Sequence, residues 1–213
     1  MTKPVIPLTL ILVGDSGVGK TCLARQLINK RFDEATDSTV GIEMFRSKMD
    51  FDQCVVDLTL KDTCGQEQYR SIVAQFYRDS QGALIVYDIT SRQSFETVQE
   101  WISNVCQLCP QGVKVMILGN KVDLEMDSRI ISFEEGQTYA KENGYPFFET
   151  SAKLNVKVES SFRELVQSIL QSRNFQQEAP QSTSEPVIVL QKPKQEQKEN
   201  SEQVQPQKKD GCC

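Results

Sequence analysis

Apolar and polar positions alternate along the chain in a way that predicts six strands and about five helices. Short apolar runs with polar or glycine-containing borders are typical of buried strands, and they occur at 8–13, 42–50, 53–61, 83–87, 113–119 and 146–149. Helical spacing of apolar residues occurs at 20–30, 94–108, 133–142 and 156–171, and more weakly at 71–78.

The order of these elements predicts an α/β fold. The second and third strands are separated only by the short turn around Phe51, so we expect them to form a hairpin. Elsewhere strands and helices alternate, which implies right-handed crossovers and a parallel sheet between two helical layers. The expected fold is a three-layer, six-stranded, mostly parallel sheet with one antiparallel edge strand, and its ligand loops lie at the carboxyl ends of the strands.

Composition divides the 213 residues into one domain and a tail. Residues 1–172 contain enough apolar material for a full core. Residues 173–213 are rich in Gln, Glu, Lys, Ser and Pro, and such a segment buries too little apolar area to offset its conformational entropy. We therefore expect a disordered tail.

Charge and residue types exclude several kinds of function. The net charge of −5 gives no reason to expect nucleic-acid binding. The chain has no histidine, which removes the usual general base, the commonest zinc ligand and Ser-His-Asp chemistry. The seven cysteines form no metal pattern, and Cys106 and Cys109, which have no second pair to complete a zinc site, are interpreted as two reduced thiols of a cytosolic protein. We expect neither a signal peptide nor a membrane-spanning segment.

Residues 14–21 have the spacing G-x-x-x-x-G-K-T between a predicted strand and a predicted helix. Glycines in such a loop let backbone N–H groups converge on an anion at a helix N-terminus. Lys20 can reach the β- and γ-phosphates, and the Thr21 hydroxyl can bind Mg²⁺. A glycine-rich turn that binds nothing is the alternative, and Lys20 and Thr21 together disfavour it. The predicted nucleotide-binding residues here are Asp15, Ser16, Gly17, Val18, Gly19, Lys20, Thr21 and Cys22.

A second motif, Asp62-x-x-Gly65-Gln66, follows the third strand. Asp62 can hold Mg²⁺ through water, the Gly65 N–H can approach a γ-phosphate, and Gln66 can orient the attacking water. The motif is weak alone, but its place after a strand and after a phosphate loop favours a nucleotide hydrolase.

Two further motifs follow the fifth and sixth strands, Asn120-Lys121-Val122-Asp123 and Ser151-Ala152-Lys153. The Asp123 carboxylate can accept two hydrogen bonds from guanine, whereas adenine lacks that donor pair. Asn120 would brace the loop and approach N7, the Lys121 stem would pack on the base, and the Ala152 N–H would bind O6. Each motif alone could be an ordinary polar turn, but both in this order predict a guanine nucleotide.

With these motifs the chain resembles a small GTPase of the Ras superfamily, and specifically a Rab. The resemblance covers residues 8–171 and includes Rab-typical stretches at 14–21, 69–72, 76–78, 86–90 and 119–124. The C-terminal Cys212 and Cys213 are similar to the double-cysteine ending of many Rabs, whereas Ras and Rho relatives usually end in a C-a-a-X box.

The resemblance implies further site residues. Thr39 matches the threonine that binds Mg²⁺ and senses the γ-phosphate, and Phe32 matches the aromatic residue that packs on the guanine. The implied catalytic set is Gln66, Lys20 and Thr39, and the implied metal set is Thr21, Thr39 and Asp62. The implied activity is hydrolysis of GTP to GDP and phosphate, which switches vesicle-mediated transport. No arginine lies between Phe32 and Thr39, so we expect slow intrinsic hydrolysis and an activating partner.

The resemblance also implies partners and a location. A Rab acts with an exchange factor, a GTPase-activating protein, the Rab escort protein and the GDP-dissociation inhibitor, and its GTPase domain is monomeric. Geranylgeranyl groups on Cys212 and Cys213 would attach the chain to the cytoplasmic face of an intracellular membrane, from which it cycles through the cytosol. The tail carries no basic excess, so we expect attachment to depend on lipid.

The chain departs from the family at the effector surface. The aromatic triad that Rab effectors commonly contact becomes Met44, Lys61 and Phe76, and Cys64 replaces an alanine. A lysine in place of an indole changes shape and desolvation cost, so we expect an altered effector set. The alternative is that Lys61 extends its ammonium group into solvent.

Three other functions remain to be weighed. Asn120 and Asp123 argue against a phosphate-loop ATPase or kinase. Lys20, Asp62 and Gln66, with Thr39, argue against a nucleotide-binding scaffold with little hydrolysis. A non-Rab Ras-like signalling GTPase is the third alternative.

Overall fold

The computed structural model describes residues 3–32, 41–63 and 75–177, with side chains up to residue 173. In this part of the chain the strands are β1 Val5–Val13, β2 Ile42–Asp50, β3 Val55–Thr63, β4 Gly82–Asp88, β5 Lys114–Asn120 and β6 Phe147–Thr150. The helices are α1 Lys20–Asn29, α2 Arg92–Glu96, α3 Val98–Leu108, α4 Glu125–Ser128, α5 Phe133–Glu142 and α6 Val158–Gln177. A 3₁₀ turn covers Val122–Leu124 and residues 75–77 are helical.

The six strands form one sheet in the order β2-β3-β1-β4-β5-β6. β2 and β3 pair antiparallel from Ile42 opposite Thr63 to Asp50 opposite Val55, and all other pairs are parallel. The predicted hairpin, the antiparallel edge strand and the α/β fold class are therefore confirmed.

Alternating side chains of the strands divide the core between the two faces of the sheet. In β1, Leu10 and Leu12 belong to one buried cluster, whereas Ile11 and Val13 belong to the other. Residues of α1 and α6 cover the first cluster, and residues of α3 and α5 cover the second. This arrangement explains why β4 is buried along its whole length and reads as a continuous apolar run.

Two helices differ from their predicted extents. Residues 94–108 form α2 and α3 with a break at Thr97, whose backbone N–H donates to Gln93 O and Phe95 O. α6 begins at Val158 rather than at 156, because Val156 exchanges two backbone hydrogen bonds with Ser151. It continues to Gln177, beyond the predicted end at 171. Of the predicted helix at 71–78, residues 71–74 lie outside the described residues.

Contacts within the chain define two units, Met1–Ala179 and Pro180–Cys213. The second unit lies outside the described residues, so the predicted boundary between 172 and 173 and the disorder of the tail stay predictions. Among the described helices, none combines the length and the apolar character that a membrane crossing requires.

Candidate functional site: a nucleotide pocket at the strand ends

The parallel register brings the predicted motifs to one edge of the sheet. Leu12 of β1 lies opposite Asp62 of β3, and Asn120 of β5 lies opposite both Asp88 of β4 and Thr150 of β6. The loops that follow β1, β3, β5 and β6 therefore leave the sheet side by side, which is the usual position of ligands in this architecture.

Close backbone approaches shape the phosphate loop. Gly14 has φ +142°, and a Cβ there would lie 2.1 Å from the carbonyl oxygen of Val86. Gly19 has φ +96°, and a Cβ there would lie 2.4 Å from Nδ2 of Asn120. Any side chain at either position would displace a neighbour, so the loop shape requires glycine at both.

Lys20 and the start of α1 supply positive charge to this loop. The Lys20 side chain is buried, and its Nζ donates to the carbonyl oxygens of Gly14, at 2.8 Å, and Asp15, at 2.7 Å. Gly19 is the N-cap of α1, a helix described over its whole length that has no acidic residue in its first turn. The partial positive charge of this helix N-terminus therefore remains for an anion.

Thr21 and Asp62 form a second polar group beside the loop. Thr21 Oγ1 lies 2.5 Å from Asp62 Oδ2, and Asp62 is fully buried. The other oxygen, Oδ1, has no hydrogen-bond partner among the described residues. Burial raises the pKa of Asp62 to about 6, against the opposing effects of the Thr21 hydrogen bond and the Lys20 charge.

These atoms fit a hard divalent cation such as Mg²⁺. A buried carboxylate oxygen that lacks a partner and an adjacent hydroxyl are the ligand types that Mg²⁺ accepts directly or through water. The described residues contain no cluster of three or more metal-ligating His, Cys, Asp or Glu side chains. The oxygens of Thr21 and Asp62 therefore suit a cation whose other ligands are phosphate oxygens and water.

Asn120 connects the phosphate loop to the last strand. Its side chain is buried, its Nδ2 donates to Val18 O at 2.9 Å, and its Oδ1 accepts the Thr150 hydroxyl at 3.2 Å. One amide thus contacts the phosphate loop and the end of β6, which are far apart in sequence.

Asp123 and Ser151 meet on the side of the pocket predicted to hold the base. Ser151 Oγ donates to Asp123 Oδ1 at 2.6 Å and accepts the Leu154 N–H at 3.0 Å. Lys121 has φ +73°, and its Nζ lies 2.7 Å from Asp88 Oδ2. The two predicted base motifs are therefore in direct contact.

The remaining predicted residues differ in exposure. Ala152 is buried, Lys153 is exposed, and Phe32 is partly buried against the core cluster beneath α1 and α6. Ser16 and Gly17 are exposed at the tip of the loop, and Cys22 is partly buried. The residues that lie outside the described part are Thr39, Cys64, Gly65, Gln66, Cys212 and Cys213.

Lys61 lies inside the protein, contrary to our expectation of a residue at the effector surface or in solvent. Its side chain is only 4% exposed and forms an ion pair with Asp79. Its Nζ also donates to Phe76 O at 3.0 Å. The ammonium group turns inward because residues 76–79 supply both a carboxylate and a carbonyl oxygen next to β3. Met44, by contrast, is exposed, and Phe76 is partly buried.

Sequence reasoning missed two residues of this edge. Thr150 supports Asn120, and Asp88 contacts Lys121 while its Oδ1 accepts the backbone N–H and the hydroxyl of Thr90. Both are the last residue of a strand, so a polar residue at the end of a buried apolar run was the available signal.

Comparisons with known proteins agree with this geometry. The family model of the Ras family matches residues 9–171. Ras-related protein Rab-15 from Mus musculus is 41% identical over 163 residues, which cover 76% of this chain and 76% of the relative. GTP-binding protein yptV2 from Volvox carteri is 43% identical over 161 residues, which cover 76% and 74%. Ras-related protein Rab-10 from Caenorhabditis elegans is 36% identical over 207 residues, which cover 96% and 94%.

The match extends over three quarters of the chain in two of these relatives and over nearly all of it in the third. The resemblance to Rabs is thereby confirmed, and a non-Rab Ras-like GTPase is not favoured. The chain belongs to the Ras family and, within it, is a Rab-like small GTPase of membrane traffic.

Proposed function

We propose that this chain binds GDP and GTP together with Mg²⁺ at the strand-end pocket and hydrolyses GTP to GDP and phosphate. The observation that carries the proposal is the double contact of Asn120, which joins the phosphate loop at Val18 to the base side at Thr150. A pocket built in this way suits a ligand with a base at one end and phosphates at the other.

Guanine is the base that the pocket favours. Ser151 donates to Oδ1 of Asp123, and the remaining lone pairs of the two carboxylate oxygens can accept hydrogen bonds from the base. Guanine offers an N1–H and an N2 amine to a carboxylate, whereas adenine offers neither in that arrangement. A site that depends on those hydrogen bonds disfavours adenine, because the Asp123 carboxylate would receive no hydrogen bonds from the bound base.

Lys20 and the N–H groups of α1 would hold the phosphates. Thr21 and Asp62, with Thr39 from outside the described residues, would hold Mg²⁺. The cation, when bound, neutralises phosphate charge during the reaction. Lys20 would exchange its present contacts with Gly14 O and Asp15 O for phosphate oxygens, and Asp62 Oδ1 would accept a metal-bound water.

The hydrolytic step rests on Gln66, which would orient water, and on the Gly65 N–H and Thr39, which would contact the γ-phosphate. We expect slow intrinsic turnover, because the stretch between Phe32 and Thr39 supplies no arginine. A GTPase-activating partner would then raise the rate by about 10³–10⁵-fold. Loss of the γ-phosphate would release the contacts that hold both switch segments.

A competition experiment tests the binding site. Purified protein in millimolar Mg²⁺ is loaded with a fluorescent GDP analogue and challenged with GDP or ADP. We expect GDP to displace the probe at concentrations at least 10³-fold lower than ADP, because loss of buried hydrogen bonds costs several kcal/mol. Equal displacement by ADP would contradict guanine recognition.

Asp123→Asn gives a matched test of the base contact. An amide cannot accept both guanine donors, so we expect the affinity for GDP to fall by at least about 100-fold. Xanthine carries an oxygen where guanine carries the N2 amine, so the same variant should gain affinity for XDP. A variant with unchanged preference would exclude Asp123 from the base site.

Hydrolysis is tested by single-turnover phosphate release from GTP-loaded protein. We expect slow release from the wild type and at least about tenfold slower release from Gln66→Leu, which cannot orient water. Equal release from both proteins would exclude Gln66 from the hydrolytic step, and no release from either would support a nucleotide-binding scaffold instead.

The tail is proposed to attach the GTPase to the cytoplasmic face of an intracellular membrane through geranylgeranyl groups on Cys212 and Cys213. We propose that the Rab escort protein presents the chain for this modification and that the GDP-dissociation inhibitor extracts it to the cytosol. The match to Rab-10, which reaches into the tail, supports this proposal. Replacement of both cysteines by serine should move a tagged chain from membranes to the cytosol.

The effector set of this chain is proposed to differ from that of Rabs with an indole at position 61. Met44 is exposed and Phe76 is partly buried, but Lys61 points inward to Asp79. Lys61→Trp restores the indole, and we expect it to increase binding to effectors that contact the aromatic triad. Unchanged binding in a pull-down with GTP-loaded protein would contradict the proposal.

A further inference from the structure

The carboxylate of Asp15 contacts α3 and the N-cap residue of that helix. Its Oδ1 accepts a hydrogen bond from Trp101 Nε1 at 2.8 Å and another from the Thr97 hydroxyl at 2.9 Å. These partners lie 86 and 82 positions further along the chain. The contact therefore connects the phosphate loop to α3, which covers the face of the sheet opposite to that covered by α1.

The partners of Asp15 are held rigidly. Trp101 is buried in the core cluster that α3 shares with β4 and β5, next to Val98 and Ile102. A buried indole N–H needs an acceptor, and Asp15 supplies it. Thr97 is the N-cap of α3, so the carboxylate also lies at a helix N-terminus, where the helix dipole favours negative charge.

Asp15 also takes part in the loop through its backbone, because its carbonyl oxygen accepts the Lys20 ammonium group at 2.7 Å. The loop has two further fixed points: Gly14 lies against Val86, and Val18 O accepts Asn120 Nδ2. Asp15, which lies between Gly14 and Val18 in sequence, adds a third through its contacts with Thr97 and Trp101. Loss of this contact would let residues 15–17 move while both ends of the loop stay in place.

We propose that Asp15 is a positioning residue, which holds the phosphate loop in its nucleotide-binding shape by binding Trp101 and Thr97. Trp101 is the only tryptophan of the chain, so its emission reports on the same contact. The proposal rests on the proposed nucleotide binding and adds a residue that acts on the phosphates only through the backbone of the loop.

A charge effect is the competing explanation. A carboxylate close to bound phosphates would weaken their binding, so its removal would then strengthen binding. The positioning role predicts the opposite sign. Asp15→Asn separates the two explanations, because it removes the charge but keeps an oxygen that can accept from Trp101 and Thr97.

The experiment measures dissociation of a fluorescent GDP analogue from full-length protein in millimolar Mg²⁺. For Asp15→Ala we expect dissociation about tenfold faster than for the wild type, because two hydrogen bonds to a charged acceptor are lost. Asp15→Asn should stay within about threefold of the wild type. Trp101→Phe, which keeps the ring but removes the N–H, should be faster by about threefold or more.

The double variant tests whether the residues act together. If the contact carries the effect, Trp101→Phe adds nothing in the Asp15→Ala background. Ser103→Ala is the matched control, because Ser103 lies on α3 and its hydroxyl donates to Gln99 O rather than to the phosphate loop. This control should leave dissociation unchanged.

Each outcome decides the question. Slower or unchanged dissociation in Asp15→Ala overturns the proposal, and so does independent, additive behaviour of Asp15→Ala and Trp101→Phe. If Asp15→Ala fails to fold, Thr97→Val replaces it, with an expected increase of about twofold to threefold. Unchanged dissociation in both Thr97→Val and Trp101→Phe then overturns the proposal.

Tryptophan emission distinguishes this proposal from the proposed function. Removal of nucleotide with EDTA should shift the Trp101 emission of the wild type, and Asp15→Asn should retain that shift. A wild type that takes up no GDP analogue at all contradicts the proposed function. A wild type that binds normally, with an Asp15→Ala variant that behaves like it, contradicts only the positioning role.

Discussion

Single residues determine whether the phosphate loop can form. Gly14 has a positive φ, and a Cβ at this position would overlap with the carbonyl oxygen of Val86. Gly112 also has a positive φ, of +83°, but a Cβ there would meet nothing within 4 Å. Substitutions at these two glycines therefore distinguish the cost of the backbone conformation from the cost of steric overlap.

Gly14→Ala should reduce the free energy of unfolding by about 3 kcal/mol or more, because overlap adds to the cost of the backbone conformation. Gly112→Ala should reduce the free energy of unfolding by only about 1 kcal/mol, since only the backbone conformation is unfavourable there. Urea unfolding at a fixed GDP concentration measures both. Equal losses in the two variants would show that the contact with Val86 is easily relieved.

Cys109 is a residue whose chemistry depends on its surroundings. Burial raises its pKa to about 12, with Cys106 adding to the rise, although the nearby Lys61 opposes it. At pH 8 the group therefore stays a protonated thiol, which is a poor nucleophile. We expect iodoacetamide to modify the exposed Cys106 faster than Cys109 at this pH, as measured by peptide mass spectrometry. Faster modification of Cys109 would contradict its burial.

The site residues at the strand ends could be predicted from sequence because their spacing dictates their backbone positions. Asn120 and Asp62 each end or nearly end a strand, and the parallel register then places them together. The direction of a long side chain could not be predicted in the same way. Lys61 turns inward because Asp79 is near in space, and the separation of 18 positions gives no sign of this.

Among the elements, β3 and the turn at residues 78–79 are joined by a partly buried ion pair. The Lys61 side chain is 4% exposed, whereas that of Asp79 is 67% exposed. The ion pair of Lys30 and Glu159 differs in this respect, because both of its side chains are more than half exposed. Its Nζ and Oε2 atoms lie 2.8 Å apart. Removal of one partner should therefore matter at the first pair and hardly at the second.

Asp79→Ala should lower the free energy of unfolding by about 1–2 kcal/mol, because it leaves a buried ammonium group with Phe76 O as its remaining acceptor. In a Lys61→Met background the same change should cost much less, since no buried charge remains. Glu159→Ala is the control, with an expected loss of at most about 0.5 kcal/mol. An equal cost of Asp79→Ala in both backgrounds would show that the ion pair does not stabilise the fold.

Elements with strong periodicity were predicted well, and their ends were not. The break between α2 and α3 at Thr97 could not be seen, because helical apolar spacing continues through it. The start of α6 was placed at 156 because its apolar spacing begins there, but Val156 pairs with Ser151 instead. Tertiary hydrogen bonds decided both boundaries, and these are absent from local sequence patterns.

In the whole molecule, the sheet separates two cores and presents all predicted motifs of the described part at one edge. This arrangement followed from the alternation of strands and helices, because parallel strands must have their carboxyl ends on the same side. The alternation of elements could not predict the side-chain contacts at this edge, such as those of Asn120 with Val18 and Thr150.

The two contacts of Asn120 have a thermodynamic consequence for ligands smaller than a nucleotide. The Asn120 amide contacts both the phosphate loop and the base side of the site. A ligand that fixes the position of Asn120 from one side therefore also orders the other side, and by thermodynamic linkage each ligand strengthens the binding of the other by the same factor. Guanosine should therefore tighten the binding of pyrophosphate, and pyrophosphate should tighten guanosine by the same factor. Titration calorimetry of each fragment, alone and with the other saturating, would reveal the cooperativity, which Asn120→Ala should abolish.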